Sequence, residues 1–135
     1  AAPDIFSHNV ECVERISGQV RVQSIWSRSL DVLEHSVHFG LLTKTSMMVG
    51  LGETKVEVIE TMKEVVDLGV DIFTIGQYLQ PTSHHLPVDR FVENEEFQDY
   101  KKIGLELGFR VGESGALVRS SYHADEQARM VKGNK

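Results

Sequence analysis

The sequence predicts an α/β fold of parallel β/α units forming part of an incomplete, TIM-like (β/α) barrel, and three observations carry that expectation. A helix-period segment, a glycine and a short apolar run recur in order: LDVLEHSVHFG then LLTKTSMMV, VEVIETMKEVVDLG then VDIFTIG, and FQDYKKIGLELG then FRVGE. The apolar runs lack clean alternation, as strands covered on both faces do. Strands that alternate with helices argue a parallel sheet built from right-handed crossovers.

Each element has its own warrant. Trp26, Leu30, Leu33 and Val37 recur at helical spacing and line one face. Thr54 and Glu57 form a Thr-x-x-Glu capping box, and Ile59, Met62 and Val66 continue an apolar stripe behind it. Gly40, Gly69 and Gly108 stand where a helix end needs a left-handed residue, so each reads as a helix stop before a strand. Strands are expected near residues 3–7, 41–49, 70–75 and 109–112. Four strands are too few to close a barrel, which takes about eight. The open edge they would leave is one that natural proteins cover, so the chain reads as part of a larger α/β architecture. No internal linker divides it, and residues 1–135 form one partial domain.

Composition narrows the function classes. Hydrophobic residues make up 41% and charged residues 25% of the 135 positions, the balance of an ordinary globular domain. The formal charge is −6, with acids distributed over predicted helices, so no basic footprint for nucleic acid is present. No apolar run reaches the roughly 18 residues of a membrane span, and AAPDIFSHNV lacks the pattern of a signal peptide. A cytoplasmic location is the resulting expectation. A single cysteine, Cys12, excludes an internal disulfide and suits a reducing compartment.

In parallel α/β folds, ligands sit at the carboxyl ends of the strands. The segments expected there are HNVE, GLGET, GQYLQPTSHHLP and ESGALVRSSY. Asn9 and Glu11 supply an amide and a carboxylate suited to ribose hydroxyls, although Asn9 reads equally as a helix cap. Gly50 and Gly52 sit between a strand and a capped helix, where bare backbone can approach a flat ligand beside helix N-terminal amides; a tight turn without ligand fits the same pattern. His84 and His85 are adjacent and point apart on an extended segment, which makes a poor chelate, and no zinc-binding spacing occurs. Ser120 and Ser121 lack the surroundings of a nucleophile elbow. Met47, Met48 and Met62 read as core filler.

Taken in order, HNVE, LLTKTSMMVGLGET, DIFTIGQYLQPTSHHLPV, LELGF and SGALVRSSYHADEQ resemble the C-terminal half of lipoyl synthase, a radical S-adenosylmethionine enzyme family. The resemblance runs along nearly the whole chain. It implies a partial (β/α) barrel and the insertion of two sulfur atoms into an octanoyl chain on a lysine of a lipoyl carrier domain. The carriers implied are the glycine cleavage H protein and 2-oxoacid dehydrogenase E2 components. The cofactors implied are S-adenosylmethionine and two four-iron four-sulfur (4Fe-4S) clusters. One cluster cleaves S-adenosylmethionine to a hydrogen-abstracting radical, and the other is consumed as the sulfur source.

By the same resemblance, Asn9 and Glu11 match positions at the S-adenosylmethionine ribose. Gly50, Gly52 and Glu53 match the glycine turn beside the adenosine, and Gln77, Tyr78 and Leu79 match the loop that closes over the cofactor, the last two through their backbone. In the motif over residues 118–125, Ser121, with Ser120 as the alternative, matches a serine that ligates iron of the auxiliary cluster, and Arg119 matches a charge partner. The chain departs from the family pattern in Ser114-Gly115-Ala116, in FRVGE, in RVQSIWSRSL and in Cys12, where the family usually has Thr. Clusters need about three or four thiolates each. With one cysteine the chain is expected to be inactive alone and to need a separate N-terminal half. The alternatives are a cofactor- or carrier-binding module and a non-catalytic structural protein.

Overall fold

The structure, a computed structural model, describes residues 5–10, 12–16 and 26–118, with the side chains of Trp26 and Ser27 outside that description. Among the described residues, seven elements alternate in order, with a further helical turn at 14–16: β1 (Ile5–Ser7), α1 (Trp26–His38), β2 (Leu42–Val49), α2 (Lys55–Asp67), β3 (Ile72–Gln77), α3 (Asn94–Leu107) and β4 (Val111–Gly115). The strands form one parallel sheet in the order β1-β2-β3-β4. Each new strand is added beside the last without a reversal. Sequential parallel order with crossovers of constant hand places successive helices on one face of the sheet. The principal core obeys this, joining Leu33 of α1, Val58, Met62 and Val65 of α2, and Phe97 and Tyr100 of α3 to Met47, Val49, Phe73 and Ile75 of the sheet.

Local chemistry sets the element ends. Thr54 caps α2 by accepting from the Glu57 amide at 3.2 Å, and the Glu57 carboxylate returns the bond to the Thr54 amide at 2.9 Å, so the expected box is complete. Helices α1, α2 and α3 give way to strands at Gly40, Gly69 and Gly108, all with positive φ. The apolar stripe of α2 lies one residue from its expected line: Val58, Met62 and Val65 are buried, while Ile59 and Val66 flank them half-buried. The strands also shift from expectation. β3 begins at Ile72 and runs through Gln77, and β4 extends to Gly115, which draws Glu113 and Ser114 out of the expected loop and into the sheet.

Every residue of β3 is buried, consistent with coverage on both faces. On the face turned away from the helices, Ile5, Leu42, Ile72 and Val111 form a smaller apolar cluster. One strand row further, Ser46 and Thr74 share a hydroxyl hydrogen bond of 2.5 Å beside Glu113. Lys44 lies on this face, fully buried; burial pushes its ammonium pKa down, and the carboxylate of Glu113 opposes that shift. Polar groups in a buried sheet face are costly unless they are paired: the two hydroxyls bond each other, and the Glu113 carboxylate favours the Lys44 charge across the sheet. Among the described residues no helix is long and apolar enough to cross a membrane.

Phe73 is where α3, β3 and β4 meet. Its ring lies 4.6 Å from that of Phe109 and fills the space where Cβ atoms on Gly104 and Gly112 would stand. Both glycines are therefore required by packing. Gly104→Ala and Gly112→Ala are each expected to destabilise by about 1–3 kcal/mol, the usual cost of overpacking. For Gly104 this reverses the gain of about 1 kcal/mol that alanine brings to an unconstrained helix position. Urea denaturation checks both, and Phe73→Leu in the Gly112→Ala background is expected to recover part of the loss.

Candidate functional site

Three segments leave the carboxyl ends of β1, β2 and β3, and hydrogen bonds join them into one face. Gly50, immediately after β2, is the junction. Its carbonyl accepts from the Asp89 amide at 2.8 Å and the Arg90 amide at 3.4 Å, and its amide donates to both Glu53 carboxylate oxygens at 3.0 and 3.1 Å. Gly50 has φ +98°, and a Cβ there would collide with the Gln77 side-chain amide and the Arg90 carbonyl. The space expected to admit a flat ligand at Gly50 is thus filled by the chain itself. Gly52, at φ +111°, has only Asp89 near its Cβ position, at 3.8 Å, and is the more open of the two.

Glu53 closes the turn from within. Its carboxylate is buried and also accepts from the Leu51 amide at 3.0 Å. Backbone N–H groups clustered at a helix start attract an anion, and here a side chain of the same turn supplies it. The Gly50 and Leu51 amides are consequently spent on the fold.

Gln77 performs the matching task at the end of β3. Its Nε2 donates to the Tyr78 carbonyl at 2.9 Å and the Arg90 carbonyl at 3.1 Å, and its Oε1 accepts from the Val92 amide at 2.8 Å. All of these partners are backbone groups, so the side chain staples the returning end of the 78–92 loop to the sheet. The Tyr78 amide donates to the Val49 carbonyl at 2.8 Å, and its hydroxyl donates to the Leu86 carbonyl at 2.7 Å, which folds the loop back over its own start. Leu79, by contrast, is half exposed. His84 and His85 lie exposed on the loop, where the His85 ring bonds Thr82 at 2.8 Å. Arg90 pairs with Glu96 at 2.7 Å, and Tyr100 donates to the same carboxylate at 2.6 Å. Burial, reinforced by that carboxylate, pushes the Tyr100 hydroxyl well above its ordinary pKa, so it remains a donor.

After β1, residues Val10, Cys12, Val13 and Ile16 enter the principal core. Asn9, at the mouth of this segment, is half-buried, and its Oδ1 is enclosed without a hydrogen-bond partner. With no partner that oxygen caps no helix, and among the described residues the first helical turn comes at 14–16. A buried acceptor left unpaired is costly, on the order of 1–3 kcal/mol, and a ligand hydroxyl would relieve that cost. For an iron–sulfur cluster the donor set falls short, since the sequence holds one cysteine where a cluster takes about three or four thiolates. Cys12 is buried, and no group of three or more His, Cys, Asp or Glu placed to hold a metal exists among the described residues. Glu11, Arg119, Ser120 and Ser121 lie outside the described residues.

Of the expected site residues that are described, Asn9, Gly50, Gly52, Glu53, Gln77, Tyr78 and Leu79 all fall at the carboxyl-end face. Arg15, Asp89 and Arg90 were not expected there. Their signal is tertiary: Arg15 reaches Glu57 across 42 positions.

The fold and this face define a parallel β/α protein with its candidate ligand site at the strand carboxyl ends. No family model matches the chain. Its sequence is 54% identical over 129 residues to the lipoyl synthase of Rubrobacter xylanophilus, covering 94% of the chain and 40% of that protein. It is 53% identical over 126 residues to the lipoyl synthase of Christiangramia forsetii, covering 93% and 43%. It is 52% identical over 126 residues to the mitochondrial lipoyl synthase of Nematostella vectensis, again covering 93% and 43%. Over nearly its whole length the chain belongs with the lipoyl synthase family, matching the C-terminal part of its members. It spans less than half the length of these relatives.

Gln77→Leu leaves the Val92 amide and the Arg90 carbonyl without their partner, and unpaired buried groups cost about 1–3 kcal/mol each. The expected outcome is a destabilised chain in which amide exchange accelerates at residues 89–92 more than in α2, read by denaturation and hydrogen–deuterium exchange.

Proposed function

We propose that the chain is the C-terminal part of a lipoyl synthase, contributing one wall of a (β/α) barrel and most of an S-adenosylmethionine face. The observation that carries the reading is about 50% identity to lipoyl synthases over 93% of the chain, in segments that converge on one end of the sheet. The whole protein would insert two sulfur atoms into an octanoyl-lysine of a lipoyl carrier domain, such as a glycine cleavage H protein or a 2-oxoacid dehydrogenase E2 component.

On binding, Asn9 turns its unpartnered Oδ1, enclosed in the unliganded chain, to a ribose hydroxyl, and Glu11 stands two positions on in the sequence as a second acceptor. Gly52 offers the open part of the glycine turn, while Gly50 and Glu53 set the turn's shape. Gln77 acts on the cofactor indirectly, by holding the 78–92 loop, and the backbone at Tyr78 and Leu79 provides its contact edge. Bound beside a 4Fe-4S cluster held by residues of an N-terminal half, S-adenosylmethionine would supply hydrogen-abstracting radical chemistry. The cysteines for both clusters would come from an N-terminal half, with Ser121, or Ser120, adding one oxygen ligand to the auxiliary cluster beside Arg119. The isolated chain is then inactive.

The test joins this chain to the cysteine-bearing N-terminal part of the Rubrobacter xylanophilus lipoyl synthase, reconstitutes clusters, and follows an octanoylated carrier by mass spectrometry. The expected result is lipoyl-lysine from the joined protein and none from the chain alone. Asn9→Ala is expected to weaken S-adenosylmethionine binding about five- to tenfold, the worth of one hydrogen bond of about 1 kcal/mol. A cluster-loaded protein that leaves the octanoyl group unchanged would overturn the reading.

A further inference from the structure

Arg15 ties the segment that follows β1 to the turn that follows β2. Its Nη2 donates to the Gly52 carbonyl at 2.8 Å and to Glu57 Oε1 at 2.9 Å, and its Nε donates to Glu57 Oε2 at 2.9 Å. The fork of a guanidinium matches a carboxylate with two parallel bonds, and here one arm also reaches the turn. Glu57 is already fixed by its bond to the Thr54 amide, so it cannot follow Arg15 if that side chain moves. The Arg15 hydrogen bond, with that amide bond, holds the Glu57 carboxyl at about 2, well below the usual range, which keeps the pair charged.

The pair is partly solvent-exposed, and exposed ion pairs stabilise little. The segment is held to the core by Val10, Cys12, Val13 and Ile16 whether or not Arg15 is present. What those apolar contacts lack is direction. Asn9 lies at the start of the same segment with its buried Oδ1 unpaired, and Gly52 is the open residue of the turn. A ligand that touches both needs their separation held to a fraction of an ångström, because a displacement of about 1 Å removes much of the benefit of alignment.

We propose that Arg15, fixed by Glu57, is the positioning residue that sets Asn9 against the Gly52 turn. This rests on the reading that S-adenosylmethionine binds that face. Arg15 touches no ligand in this account; it acts through the backbone it holds.

The test measures S-adenosylmethionine binding by calorimetry to the chain joined to a cysteine-bearing N-terminal half, for wild type, Arg15→Gln, Arg15→Lys, Glu57→Gln and Lys55→Gln. The last removes an exposed ion pair of 2.9 Å with Asp99 that does not touch the turn. Arg15→Gln and Glu57→Gln are expected to weaken binding about tenfold, a coupling typical of residues in one network. Thermal stability is expected to change little in any of these variants; Arg15→Lys keeps the charge without the fork, so it is expected to lose affinity as Arg15→Gln does, and Lys55→Gln leaves affinity unchanged. Hydrogen–deuterium exchange on the same variants, without ligand, is expected to rise together at residues 8–10, 12–16 and 50–54 in Arg15→Gln. Affinity that follows stability alone, or that lysine restores, overturns the proposal. If the wild-type joined protein binds no S-adenosylmethionine, the cofactor reading fails by itself and the exchange data decide: coupled acceleration upholds the positioning role, and unchanged exchange rejects it.

Discussion

Gly50 has no room for a side chain, and the geometry of the candidate site follows from that. The Gln77 side-chain amide and the Arg90 carbonyl stand where a Cβ would be, and the Gly50 carbonyl takes the Asp89 amide at 2.8 Å. Two loops that leave neighbouring strands are thereby closed onto each other through backbone, with one glutamine as the staple. A β2–α2 turn held only by its own capping box would be free to tilt against the sheet. Bound to the 78–92 segment, it moves only if the Gln77 bonds also break. Rigid support of this kind is what allows loops to carry a site.

This constraint also separates residues that build the site from those that can face a ligand. Glu53 and Gln77 carry polar groups of the kind that bind cofactors, yet both spend them on backbone within 3.1 Å. The pattern is economical in a parallel sheet, where strand ends expose carbonyls and turns expose amides that must be paired somewhere. Asn9 is the exception, with an enclosed acceptor that nothing in the described chain satisfies. Thr45 Oγ1 and Ser114 Oγ are also enclosed without a partner, but they lie within β2 and β4; of the described residues in the segments that follow β1, β2 and β3, Asn9 is the one with such an atom.

The elements were legible because their signals are local. The capping box at Thr54 and Glu57, the helix stops at Gly40, Gly69 and Gly108, and the apolar runs each declare themselves within about one turn of chain. The small errors have the same origin. The α2 stripe shifted by a residue because Val56, Val58 and Ile59 are all apolar, and only the position of the sheet decides which is buried. β4 ran on through Glu113 and Ser114 because pairing with Thr74 and Ile75 outweighed the poor strand propensity of those residues. The membership of the carboxyl-end face was legible from strand–loop order and the family resemblance. The division of labour within it was not, since Arg15 with Glu57, Gln77 with Val92 and Gly50 with Asp89 are contacts between distant segments that no local pattern announces.

The proposed function requires one S-adenosylmethionine face at the carboxyl ends of β1, β2 and β3. Hydrogen–deuterium exchange with and without S-adenosylmethionine, on the chain joined to a cysteine-bearing N-terminal half, tests it directly. Slowed exchange is expected at residues 8–10, 50–54 and 78–79, with the opposite ends of the sheet at 39–41, 68–71 and 108–110 unchanged. Protection confined to those opposite ends, or protection nowhere in this chain when the joined protein binds the cofactor, would contradict it.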